Sequence, residues 1–161
     1  MDIAAEISIS LTAAVIRIFE TMGSLAVTLA ESTDVSQRPS DALQDVTGNV
    51  SFAGPSIAGV IYISLPSSLA RLVTGTITGD PASVTEQEEH DSLGEFTNMV
   101  TGNVKTHMAD KGYNSQLSIP NVLRGTKLSV SCKGFSLAHA FTFRVSKTGE
   151  TFQVLALVKA D

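Results

Sequence analysis

Glu95 and Asn98 stand three residues apart in the segment Asp91-Ser92-Leu93-Gly94-Glu95-Phe96-Thr97-Asn98-Met99-Val100-Thr101-Gly102-Asn103-Val104-Lys105, whose apolar residues recur at helical spacing. At about 100° per residue, Leu93, Phe96, Val100, Val104 and Met108 share one stripe. Asp91, Glu95, Asn98, Gly102 and Lys105 gather on the opposite side, so a carboxylate and a carboxamide one turn apart face outward together. The amide offers a donor and an acceptor and orients a water without titrating, while the carboxylate is an acceptor when ionised. Gly102 lowers the helix wall between them at a cost of roughly 1 kcal/mol against Ala, which invites a functional reading. Gly94 adds a second small residue, and with Asp91, Gly102 and Lys105 it makes a flat surface suited to meeting a partner.

The elements that must hold this helix follow from periodicity. Ile3, Ile7, Leu11, Val15, Ile18 and Met22 predict a first helix from about Ala4 to Met22, ended by Gly23. Leu25 to Ala30 reads as a strand, and the polar stretch from Glu31 to Thr47, with Asp34, Arg38, Pro39 and Asp41, reads as a loop. Strands are expected near Val50 to Ala53 and Gly59 to Leu65, then a short helix from Pro66-Ser67-Ser68 through Val73 that stops before Gly79-Asp80-Pro81. A long helix from about Thr85 to Lys111, acidic in its first turns and capped by Gly112, carries Glu95 and Asn98. Strands near Ser115 to Ile119, Leu128 to Cys132, Leu137 to Ser146 and Thr151 to Val158 follow, the last two as a hairpin.

Two local matches suggest an internal duplication. Val50-Ser51-Phe52-Ala53-Gly54-Pro55-Ser56-Ile57-Ala58 aligns without a gap on Val130-Ser131-Cys132-Lys133-Gly134-Phe135-Ser136-Leu137-Ala138, and Phe19-Glu20-Thr21-Met22 matches Phe96-Thr97-Asn98-Met99. The expected architecture is one α+β domain over residues 1–161, with repeat halves 1–81 and 82–161 and two long helices on one face of a mostly antiparallel sheet. Placing Phe19 on Phe96 sets Ile18 opposite Glu95 and Thr21 opposite Asn98, so the acid and amide occur on the second helix alone.

Composition narrows the function. With 161 residues and 43% hydrophobic content the chain supports one real core, and a formal charge of -5 disfavours nucleic acid as a partner. Asp2, Glu6, Arg17 and Glu20 interrupt the apolar N-terminus, and glycines and prolines break the stretch from Val46 to Ala70, so neither a signal peptide nor a membrane helix is expected. A single cysteine, Cys132, reads as a packed thiol in a reducing compartment, which places the protein in the cytoplasm. Glu86-Gln87-Glu88-Glu89-His90-Asp91 reads as a solvated helix start in preference to a metal cluster, because no second His or Cys supports one. His107 falls beside the apolar stripe as a boundary histidine, and the role of His139 is not legible. No Ser-His-Asp arrangement, phosphate-binding glycine loop or dinucleotide fingerprint is present.

The string from Gly94 to Lys105, with Glu95-Phe96-Thr97-Asn98 followed by Met99 and Gly102, resembles the Glu-x-x-Asn helix of the CheC/CheX/FliY family of chemotaxis phosphatases, with CheX nearest. The resemblance implies the same fold and an activity: hydrolysis of the aspartyl phosphate of a CheY-like response regulator. It implies Asn98 as the residue that orients the attacking water and Glu95 as the partner of the receiver's lysine. Any Mg²⁺ belongs to the receiver, and the phosphatase has no cofactor of its own. One active helix fits CheX-like members, whereas CheC-like ones carry two. The same exposed face also serves the alternative, a non-catalytic module that binds a response regulator or rotor protein. A homodimer through the strands around Thr142 to Val145 and Thr151 to Val158, which read as an open sheet edge, completes the expectation.

Overall fold

The computed structural model describes residues 1–37, 40–126 and 128–161. Helix α1 spans Ile3–Gly23, started by the Asp2 carboxylate, which accepts from the Ala5 N–H at 3.2 Å. Ile7, Leu11, Val15 and Ile18 of its apolar stripe are buried and Ile3 and Met22 at its ends partly so, but the left-handed residue after the helix is Ser24, with φ 52°, and Gly23 is the last, buried helical residue. Strand β1 covers Val27–Asp34, β2 Ser40–Leu43, β3 Val46–Ala53 and β4 Ile57–Leu65. Helix α2 covers Ser67–Thr78 and α3 Glu86–Ala109. The remaining strands are β5 Gln116–Leu117, β6 Asn121–Arg124, β7 Leu128–Val130, β8 Leu137–Val145 and β9 Thr151–Ala160.

The expected loop from Glu31 to Thr47 is therefore mostly strand. Only Arg38 and Pro39 of that stretch lie outside the described residues. β1 is almost entirely exposed beyond Val27, so it lacks the apolar alternation that marks a strand in sequence. β6 was not expected either.

All paired strands run antiparallel in a seven-stranded sheet ordered β1-β8-β9-β4-β3-β5, with β6 also pairing β3, while β2 and β7 form a separate ribbon. This corrects the expected open edge. β8 and β9 are interior strands, and β1 lies at one end of the sheet. Strand order is symmetric about the central β4–β9 pair: β3 answers β8, and β1 answers β5 and β6. The sequence match of Val50–Ala58 with Val130–Ala138 joins different elements, since the first runs through the β3–β4 turn and the second leads from β7 into β8.

The sheet has two different faces. Ile61 and Ile63 of β4, Phe141 and Phe143 of β8, and Phe152 and Val154 of β9 join the buried stripes of all three helices in the main core. Part of the other face is covered by a smaller cluster in which Cys132 packs with Val35, Ala138, Leu155 and Leu157. At the centre of the main core, Phe19 meets Phe96 edge to face with ring centroids 5.0 Å apart, and stacks on Phe152 at 4.5 Å.

Candidate active site on the third helix

Thr85 and Glu88 fix where α3 starts: the Thr85 hydroxyl accepts from the Glu88 N–H at 3.1 Å, and the Glu88 carboxylate accepts from the Thr85 N–H at 3.0 Å. Two buried threonines seat its middle, Thr97 and Thr101 donating back to the Leu93 and Thr97 carbonyls at 2.7 and 2.8 Å. The helix ends at Ala109, just short of the expected Lys111, and Gly112 follows with φ 93°.

Leu93, Phe96, Val100, Val104 and Met108 are all buried, which sets the opposite face toward solvent. Glu95 is exposed and Asn98 half-buried, and neither side chain has a hydrogen bond or ion pair among the described residues. Neither is engaged by the described part of the chain. Asp91 is exposed and accepts from Gln87 Nε2 at 2.9 Å. Lys105 is half-buried and pairs with no carboxylate among the described residues.

The two glycines sit differently from expectation. Gly94 is buried, and a Cβ there would lie 3.6 Å from Pro120 Cβ and 3.8 Å from Val122 Cγ2. A Cβ on Gly102 would lie 3.8 Å from Leu117 Cδ1. Both therefore face the chain's own β5–β6 segment along one flank of α3. Between that flank and the segment runs a groove of about 410 Å³, lined by His90, Asp91, Gly94, Glu95, Pro120 and Asn121.

Arg124 holds the far side of that groove in place. Its guanidinium reaches Glu86 at 3.1 Å, His90 Nε2 at 2.8 Å, and Glu89. Glu89 is buried, so the acidic start of α3 is not wholly solvated as read from sequence; part of it clamps β6 to the helix. No periodicity or motif marks Arg124 for this. His107 is the satisfied boundary histidine that its position suggested, 2.7 Å from Glu6 of α1. That hydrogen bond, aided by Lys111, holds the Glu6 carboxyl below its ordinary range. His139 of β8 lies 3.8 Å from Asp34 and 3.4 Å from the Ser32 hydroxyl. Cys132 is buried and donates to the Val130 carbonyl at 3.2 Å. Among the described residues no three His, Cys, Asp or Glu side chains are arranged to hold a metal, and no helix is long and apolar enough to cross a membrane.

On α1 the burial pattern revises the helix alignment. Matching Phe19 to Phe96 sets buried Ile18 on exposed Glu95 and exposed Glu20 on buried Thr97. Matching Leu11 to Phe96 instead pairs the buried positions Ile7 with Ser92, Val15 with Val100, Phe19 with Val104 and Gly23 with Met108. Ser10 and Ala13 then stand opposite Glu95 and Asn98. In either register α1 lacks the acid and amide.

Residues 46–144 match the family model of the chemotaxis phosphatase CheX. The chain belongs to the CheX family. Solved CheX proteins share the fold: one from Vibrio vulnificus superposes with a TM-score of 0.83 at 23% identity, covering 96% of this chain and 99% of that one. Another from Desulfovibrio desulfuricans gives 0.82 at 22%, covering 96% and 99%. A complex of CheX with CheY, BeF3 and Mg²⁺ from Borrelia burgdorferi gives 0.74 at 20%, covering 94% and 97%. No curated protein sequence matches the chain.

Proposed function

We propose that this CheX-family protein hydrolyses the aspartyl phosphate of a CheY-like response regulator, using Asn98 and Glu95 of α3. The observation that carries this reading is the pair itself: one turn apart, facing solvent, and without internal partners among the described residues. In-line attack by water on phosphorus forms a P–O bond as the bond to the receiver's carboxylate breaks, releasing inorganic phosphate. The loose transition state needs positioning more than a strong base. Asn98 supplies that by hydrogen-bonding the water, and Glu95 pairs with a receiver lysine to hold the inserted helix in register. Asp91, Gly94, Gly102 and Lys105 border the contact, Gly94 and Gly102 by admitting the β5–β6 segment close to α3. Mg²⁺ comes with the receiver, a division supported by the Borrelia complex, in which CheX is joined by CheY, BeF3 and Mg²⁺.

The same reading takes residues 1–161 as one domain of two repeat halves, 1–81 and 82–161, with the symmetric strand order in its favour. It takes the protein to act in the cytoplasm as a homodimer that leaves both α3 faces outward. β1, exposed and at the end of the sheet, replaces β8 and β9 as the edge for that pairing. The test is to mix the protein with phosphorylated receivers from the same cell and follow loss of acyl phosphate. Faster loss than the receiver shows alone supports the reading, and an unchanged rate across all of them overturns it.

A further inference from the structure

We propose that the α3 face is electrostatically polar along its axis, and that Arg17 of α1, with Lys105, binds carboxylates of the receiver and so fixes the direction in which it docks. This rests on the phosphatase reading and adds a second helix to the recognition surface. Asp91 and Glu95 lie toward the N-terminal half of the face. Lys105 lies ten residues beyond Glu95, or about 15 Å along the axis. Arg17, exposed on α1, reaches the same end from the side by donating through Nη2 to Asn103 Oδ1.

The anchor is what makes Arg17 informative. Asn103 Nδ2 donates to the Met99 carbonyl at 2.8 Å, which turns the amide oxygen toward the guanidinium. A neutral acceptor orients Arg17 without cancelling its charge, and Arg17 forms no ion pair among the described residues. Among the described residues, most of its five N–H donors stay unspent. It lines a groove of about 300 Å³ between α1 and α3, kept open by Ala13 and Ala14. Asp110 lines the same groove without bonding Arg17, and His107 there is engaged by Glu6. A partner footprint of about 800 Å² centred on Asn98 spans roughly 30 Å, enough to include both cations. Its complementary surface carries a cation opposite Glu95 and carboxylates opposite Arg17 and Lys105, and only one docking direction satisfies both ends.

The experiment is steady-state dephosphorylation of the receiver by Arg17→Glu and Lys105→Glu variants, with folding checked by circular dichroism. Lys159→Glu is the matched charge control, because β9 points Lys159 away from the helices. Each α-helical reversal is expected to raise KM about three- to tenfold at low salt, leave kcat within about twofold, and converge on wild type near 0.5 M salt. The Lys159 variant is expected to keep the wild-type KM. Unchanged KM in folded, active Arg17 and Lys105 variants overturns the inference and leaves the phosphatase reading standing. A wild-type protein that neither binds nor dephosphorylates any receiver removes that reading and the inference with it.

Discussion

Gly48 of β3 lies against Thr97 of α3 so closely that a Cβ on the glycine would overlap the Thr97 hydroxyl and stand 3.1 Å from the Leu93 carbonyl. Thr97 is the residue before Asn98, and its hydroxyl is already spent on Leu93. The bare backbone of β3 therefore sets how deeply α3 sinks into the sheet, and with it the height of the Glu95–Asn98 face.

Gly48→Ala is expected to destabilise the fold by about 1–3 kcal/mol through overpacking and to lower kcat/KM as α3 is pushed outward. Urea denaturation and turnover measured on the same preparation check both effects. A variant of unchanged stability would show that α3 has slack at this contact.

Arg124→Ala strips Glu89 of its guanidinium partner while leaving the carboxylate buried. A loss of about 1–3 kcal/mol is expected from that orphaned acceptor. Glu89→Gln in the same background is expected to recover part of it, which a double-mutant cycle measures.

Glu6 links stability to pH. Its folded carboxyl is held below the ordinary value of 4.5, first by the His107 hydrogen bond and then by the Lys111 charge. A depressed folded pKa contributes stability above the unfolded pKa, and that contribution is lost as pH falls through the folded one. The advantage of wild type over Glu6→Gln is thus expected to shrink as pH drops below about 4.5. Thermal melts of both proteins across that range test the sign.

Thr21→Ala and Glu20→Ala are expected to leave kcat within about twofold, since α1 carries no acid and amide pair in either alignment and Thr21 merely donates to the Arg17 carbonyl at 2.9 Å. A loss as large as that of Asn98→Ala would place a second working site on α1.

The third helix was legible because several local signals agree on it: its acidic first turns, the apolar stripe and the glycine beyond its end. The packing of α1 was equally plain, but its spatial match to α3 was not, because Phe19 and Phe96 share a string of letters and not a place in the burial pattern. Strand order was the larger gap. β8 and β9 are rich in strand formers because one face is covered by the helices and part of the other by the smaller cluster, and sequence alone does not distinguish such an interior strand from a hydrophobic edge. β1 is the converse, an edge strand so polar that it reads as loop. Arg17 and Arg124 escaped notice because their partners lie 86 and 35 residues away.

The central claim is tested most directly by single-turnover loss of acyl phosphate from a saturating phosphorylated receiver, comparing wild type with Asn98→Ala. The Asn98 side chain has no internal hydrogen bond among the described residues, so the variant is expected to fold and bind normally. Removing one preorganised transition-state donor is expected to slow the step by about 10² to 10³. A folded Asn98→Ala protein that retains the wild-type rate would contradict the account.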